Sequence, residues 1–296
     1  MNTPITPQFV RANGIDIAYL ERGAGNKGPL VVCLHGFPDT AWSFVPVLDA
    51  LAAQGYRAVA PFLRGYAPTT VPAVGDVRWT TLAADLVEFL RAMSPGQPAC
   101  VVGHDWGSII VQLASKIDPA LFRRVVLCAV PHLRRFFFFP SLKQIARSHY
   151  IFRFQAPRWA ERRLPRDDFD WIRNVLIRRW SPGWRFSAES LDAMVASFRD
   201  PARLKAAIDY YRGLRAALFV GRLRRLVFAP VPVPAMMVYA SDDGCIGAEM
   251  YDRQEALFPA GLVMCEAKGM GHFMNIENPA WFARTVGEYF AAAGRD

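Results

Sequence analysis

The stretch Ala99-Cys100-Val101-Val102-Gly103-His104-Asp105-Trp106-Gly107-Ser108-Ile109-Ile110 decides the fold. Its first five residues form a short apolar run, which reads as a buried strand over 99–103. From Trp106 to Lys116 the apolar spacing becomes helical. Between the two, Gly103-His104-Asp105-Trp106-Gly107 sets glycines on either side of one polar residue. A strand that turns directly into a helix needs minimal side chains flanking the turn, and its central side chain then projects above the sheet as a nucleophile would. Aspartate could also sit there as a simple helix cap, but two glycines in register favour the elbow.

Outward from the elbow the pattern alternates. Leu30–Leu34 reads as a buried strand, 41–53 as a helix, 56–60 as a strand, 81–93 as an amphipathic helix and 124–130 as another strand. This is the signal of βαβ units and a parallel sheet. Upstream, apolar runs at 8–10 and 15–20 flank the hairpin turn Asn13-Gly14, so the sheet is expected to begin with an antiparallel pair. After Pro131 the chain changes to Arg- and aromatic-rich helical segments. It returns through Pro230, Pro232 and Pro234 into the run Ala235–Ala240, followed by a helix over 248–257, a strand over 262–266 and a last helix over 279–293. The expected architecture is α/β, a core of 1–131 and 229–296 with a mostly parallel eight-stranded sheet, and an inserted helical cap over 132–228.

With 52% hydrophobic and 21% charged residues in 296, the chain can bury a large core, which excludes disorder as its main theme. Residues 1–10 lack a basic start followed by an apolar run, and no stretch is apolar for the length of a bilayer, so the expected location is cytoplasmic. Cys33, Cys100, Cys128, Cys245 and Cys265 are odd in number and lack metal-type spacing, which predicts reduced core residues, no metal and no disulfide framework. The net charge of +9 is mostly arginine within 123–225, and no nucleic-acid motif stands beside it. A solvated basic face is therefore expected, with no nucleic-acid partner.

The partners of an elbow nucleophile must follow in the order acid, then histidine. Asp243 comes after the run Ala235–Ala240, with Asp242 an adjacent competitor, and His272 lies in Gly269-Met270-Gly271-His272-Phe273 after the strand over 262–266. Both fall at carboxyl ends of parallel strands, where open α/β sheets carry their sites. His35-Gly36-Phe37-Pro38 ends the strand Leu30–Leu34, and its Phe37 N–H with that of Trp106 would form an oxyanion hole. Pro38 is a candidate for a cis peptide bond.

His35-Gly36-Phe37-Pro38-Asp39, Arg64-Gly65-Tyr66, Gly103-His104-Asp105-Trp106-Gly107 and Gly271-His272-Phe273 resemble the motifs of the α/β-hydrolase-fold epoxide hydrolases across nearly the whole chain. The family usually has Glu where this chain has Asp39. The resemblance implies two cap tyrosines that hold the epoxide oxygen: Tyr150, ahead of Phe154-Gln155, and Tyr211, before Arg212, with Tyr210 as the less favoured neighbour. It also implies substrate contacts from His35, Pro38, His149 and Phe154, a small lipophilic epoxide and water as partners, and no cofactor.

The residue types fit that chemistry. A carboxylate of ordinary pKa, ~4, is ionised at neutral pH and can displace at saturated carbon. That suits epoxides or alkyl halides. Asp105 would form an alkyl ester, phenols would donate to the departing alkoxide, and His272, oriented by Asp243, would activate water against the ester. The alternative is a hydrolytic haloalkane or haloacetate dehalogenase. Phe37 stands where haloalkane dehalogenases tend to have a polar amide, and no carboxylate follows Val130-Pro131-His132, whereas His149-Tyr150 echoes the His-Trp pair of haloacetate enzymes. A ligand-sensing protein without turnover is a third reading. The run Phe136-Phe137-Phe138-Phe139 reads as a buried hinge or pocket wall, with membrane contact as its alternative, and Trp159, Trp171, Trp180 and Trp184 read as cap core.

Overall fold

The computed structural model describes residues 4–70 and 76–292. Eight strands form one sheet: β1 (Gln8–Ala12), β2 (Ile15–Arg22), β3 (Leu30–Leu34), β4 (Arg57–Pro61), β5 (Ala99–His104), β6 (Phe122–Cys128), β7 (Ala235–Ala240) and β8 (Leu262–Ala267). Their order is β1-β2-β4-β3-β5-β6-β7-β8. The hairpin β1–β2 is antiparallel, β2 pairs antiparallel with β4, and every later pairing is parallel. Residues of β3 and all of β5 are buried on both faces, as central strands of a helix-covered parallel sheet must be. β3 is followed in sequence by β4 on one side and bordered by β5 on the other, so the chain reverses direction across the sheet there. Side chains at the carboxyl ends of β3 and β5 therefore face one crevice.

Helices α1 (Val45–Ala53), α2 (Trp79–Met93) and α3 (Trp106–Ile117) cover the sheet, with α13 (Met274–Glu277) and α14 (Pro279–Ala291) after β8. α2 buries Trp79, Leu82, Leu86, Phe89, Leu90 and Met93, the stripe expected of a helix with one face on a core. Between β6 and β7 run α4 (Leu133–Phe138), α5 (Leu142–Arg147), α6 (His149–Gln155), α7 (Trp159–Arg163), a π-helical segment Trp171–Ile177 leading into α8 (Arg178–Trp180), then α9 (Ala188–Ala196), α10 (Pro201–Arg212), α11 (Leu214–Phe219) and α12 (Gly221–Phe228). No strand occurs between β6 and β7 among the described residues.

Several expectations need correction. The helix over 41–53 opens as a 3-10 turn, Ala41–Phe44, and becomes α-helical only where Pro46 supplies a preset first turn. The helix expected over 248–257 is two isolated turns, Ala248–Met250 and Glu255–Leu257. Arg253 takes φ +57° between them, and the buried Gln254 side chain accepts the His132 N–H at 2.7 Å, a long-range bond that overrides local helix propensity. Of the last expected helix, Ala293 lies outside the described residues. Trp184 is exposed rather than core, whereas Trp171 and Trp180 are buried and Trp159 is half-buried.

Candidate active site

Asp105 stands between β5 and α3 at φ +52°, ψ −115°. A non-glycine residue held there costs roughly 1–3 kcal/mol, and its neighbours show why it persists. A Cβ added to Gly103 would come 2.5 Å from the Gly107 carbonyl carbon, and one added to Gly107 would come 2.4 Å from the Leu34 oxygen. Only glycine lets helix α3 back this closely onto β3 and β5. Gly36 is equally constrained, because a Cβ there would meet Asp105 Oδ1 at 2.4 Å.

The elbow points the Asp105 carboxylate at two partners. The Phe37 backbone N–H donates to Oδ1 at 2.8 Å, and Oδ2 lies 3.7 Å from His272 Nε2. Phe37–Pro38 is a cis peptide. On the far side of the imidazole, Nδ1 sits 2.9 Å from Asp243 Oδ2, while Asp243 Oδ1 accepts the Cys245 and Ile246 N–H groups at 2.6 and 2.9 Å. Asp243 is buried and Asp242 exposed, so the structure separates the two acids. His272 is fixed further by its own N–H donating to the Trp180 carbonyl at 2.9 Å and its carbonyl meeting His104 Nε2 at 2.7 Å. Burial opposes charge on the His272 ring, but the Asp243 and Asp105 carboxylates together outweigh it and raise its pKa to about 10.

Above the carboxylate lies a narrow cavity of about 40 Å³, lined among others by Asp105, Trp106, Tyr150, Tyr211, Phe136 and Leu214. Tyr150 Oη lies 3.5 Å from Cys245 Sγ, and the buried Tyr211 hydroxyl, with the Trp106 side chain beside it, makes no well-formed hydrogen bond among the described residues. Burial and then nearby charge, including that of Asp105, raise both phenols well above their ordinary pKa, so they stay protonated donors. Tyr210 is turned elsewhere and donates to the Arg64 carbonyl at 2.6 Å.

The four residues expected to touch substrate do not line this cavity. His35 is wholly buried, its Nδ1 3.0 Å from the Gly36 carbonyl and its Nε2 accepting the Leu63 N–H at 3.1 Å. It holds the loop. Pro38 is buried within the same loop, Phe154 packs against Phe37, Tyr150 and Tyr211, and His149 faces the Ala146 carbonyl and Arg179. Arg64 pairs through two nitrogens with Asp85 at 2.6 and 2.7 Å, which ties the loop after β4 to α2. The phenylalanine run divides: Phe136 and Phe137 line the cavity, and Phe138 and Phe139 are exposed.

Sequence reading missed Cys245, Trp180 and Ser181. Asp243-Gly244 ahead of an apolar pair is the signal of an aspartate bonding its own downstream amides, and it would have placed Cys245 beside the acid. Nothing local marks Trp180 and Ser181, which arrive from the segment between β6 and β7; a Cβ on Gly271 would meet the Ser181 Cα at 2.4 Å. Asp243, Cys245 and His272 bring three potential metal donors within 4.8 Å of one another. Both Asp243 oxygens are already bonded and burial pushes the Cys245 thiol up, so the group fits a hydrogen-bond set better than a metal cage.

A carboxylate on a strand–helix elbow, backed by histidine and a second acid from later strand ends, is an α/β-hydrolase arrangement, and residues 31–285 match the model of the alpha/beta hydrolase family. The chain belongs to that family. It is similar to epoxide hydrolase A of Mycobacterium tuberculosis, 29% identical over 306 residues that cover 93% of this chain and 94% of the relative. Among solved structures, an epoxide hydrolase of Vigna radiata superposes with a TM-score of 0.80 at 26% identity, covering 97% of this chain and 98% of that one. A haloalkane dehalogenase of Bradyrhizobium elkanii shares the fold, with a TM-score of 0.82 at 19% identity and coverage of 99% and 98%.

Proposed function

We propose that the protein is an epoxide hydrolase that opens its substrate through an alkyl ester on Asp105, with residues 132–228 acting as a cap over the site. The observation that carries this reading is the sharing of one cavity by the Asp105 carboxylate and the protonated phenols of Tyr150 and Tyr211, the latter with its hydroxyl in no well-formed hydrogen bond among the described residues. Oδ1 is taken by the Phe37 N–H, so Oδ2 is the attacking atom. It forms the new C–O bond as the ring C–O bond breaks, and the phenols stabilise and protonate the departing oxygen.

Esterification removes the charge on Asp105 that helps hold His272 protonated. The ring then passes its proton through solvent to the phenolate left by ring opening, and the neutral imidazole accepts a proton from water as that water attacks the ester carbon. Oδ1 becomes the tetrahedral oxyanion, already seated on the Phe37 N–H, and the Trp106 N–H at the head of α3 is the second donor. Collapse breaks the Cγ–Oδ2 bond, and the departing alkoxide takes the proton of the added hydroxyl, which frees the diol and restores the carboxylate beside protonated His272.

Turnover of an aryl epoxide and a matched haloalkane, followed by diol formation and halide release, tests the reading. Diol without halide release is expected; halide release without diol would move the assignment to dehalogenation.

A further inference from the structure

We infer that the face formed by α4, α5, α6, α11 and α12 docks on an anionic lipid surface, which would bring the active-site cavity against the bilayer. Large apolar side chains protrude from it: Phe139 is 64% exposed, Leu142 86%, Phe152 65% and Phe219 82%. Water-exposed apolar groups clustered this densely are unusual on a protein that has no use for them. They are also embedded in one sign of charge. Helices α4, α5, α6, α11 and α12 contain nine Lys and Arg and no Asp or Glu. Arg134, Arg224 and Arg225 surround a hollow with Phe138 and Phe139, and Lys143, Arg215 and Arg222 are exposed on the same helices. Glu249 reaches this region from the core, and Arg147 pairs with it at 2.8 Å.

Apolar side chains set among exposed cations match the interface of an anionic membrane, where the chains enter the acyl boundary and the cations meet headgroup phosphates. A second copy of the chain is a poor occupant, because two strongly basic faces would repel. A nucleic acid would use the arginines but leave Leu142 and Phe219 in water.

The face also opens inward. An apolar cleft of about 330 Å³ between α4, α5, α6 and α11 shares Phe136, Phe137, Ile151 and Leu214 with the cavity over Asp105. Four side chains thus separate the docking face from the nucleophile, a route by which a lipophilic molecule would pass from the bilayer to the site without crossing water.

The test is co-sedimentation of the full chain with vesicles of phosphatidylcholine alone and with phosphatidylglycerol added, at low and high salt, together with the double variant Leu142→Asp/Phe219→Asp. Binding to the anionic vesicles about tenfold or more above the zwitterionic ones, weakened by salt and lost in the double variant, is expected. Both substituted residues are largely exposed, so the variant should keep its thermal midpoint and its turnover of a water-soluble substrate. Equal or absent binding to both vesicles, binding retained by the double variant, equal competition by single-stranded RNA, or a solution dimer that the double variant dissolves would each overturn the inference.

Discussion

Asp105 Oδ1 accepts the Phe37 backbone N–H at 2.8 Å, so under the proposed reaction the attacking carboxylate already occupies with one oxygen the amide that would hold its own tetrahedral oxyanion. The two carboxylate oxygens are thereby assigned different work before substrate arrives. Such preorganisation is worth several kcal/mol in comparable sites, about 2.7–4 for a single oxyanion donor.

Gly36→Ala should break this contact. Its Cβ would meet Asp105 Oδ1 at 2.4 Å and Asp105 Cβ at 2.5 Å, displacing the carboxylate from Phe37. A rate loss of roughly 10²-fold or more and a stability loss of about 1–3 kcal/mol are expected. Steady-state kinetics with a urea melt checks this, and unchanged kcat would contradict it.

Tyr211→Phe removes a buried hydroxyl that makes no well-formed hydrogen bond among the described residues. The variant should melt no lower than the parent, since an unsatisfied buried polar group costs about 1–3 kcal/mol, yet ring opening should slow by about 10²-fold. Tyr150→Phe loses its contact to Cys245 Sγ as well and should slow ring opening similarly. Rapid-quench measurement of ester formation distinguishes these steps; unchanged rates in both variants would remove the phenols from the mechanism.

Asp243→Asn should lower the His272 pKa from about 10, because Asp243 is the largest influence holding the buried ring charged. Ring-proton NMR against pH reads this directly. A titration unmoved by the substitution would show that another group holds the charge.

Burial depresses three histidines, His35 and His104 to about 4 and His132 to about 3. Their folded pKa values lie below the unfolded value of ~6.5. The stability they contribute is therefore complete above that pH and is lost as pH falls through the folded values, because the unfolded chain takes up protons first. Asp39, raised by burial to about 7, and Asp85, also raised by burial, work in the opposite sense over part of the range, but they are two groups against three. The melting temperature should drop steadily from pH 6.5 to 4 in calorimetry; a flat profile would contradict neutral, buried imidazoles at these three positions.

The sheet and the elbow were legible because both are local. Period-two and all-apolar runs mark strands, and Gly103 and Gly107 mark a close approach that the structure traces to Leu34 and to each other. Chain order alone singled out Asp243 and His272, since both follow strands, and the structure brings their side chains within 2.9 Å of each other. The substrate-facing side was harder to read. His35, His149 and Phe154 have the right types and neighbours, but whether a side chain faces a cavity or a carbonyl depends on packing between helices far apart in sequence. His35 spends both ring nitrogens on the backbone. The broken turns around Arg253 were missed for the same reason, because Gln254 answers to His132 rather than to its own segment.

The most direct test of a covalent Asp105 is a single turnover in ¹⁸O water with enzyme in excess over an aryl epoxide. If Asp105 forms the ester, the first diol carries no label and mass spectrometry finds ¹⁸O in the peptide containing Asp105, with Asp105→Asn forming no diol. Label in the first diol, with none in Asp105, would mean that water attacks the epoxide directly and would contradict the covalent role of Asp105.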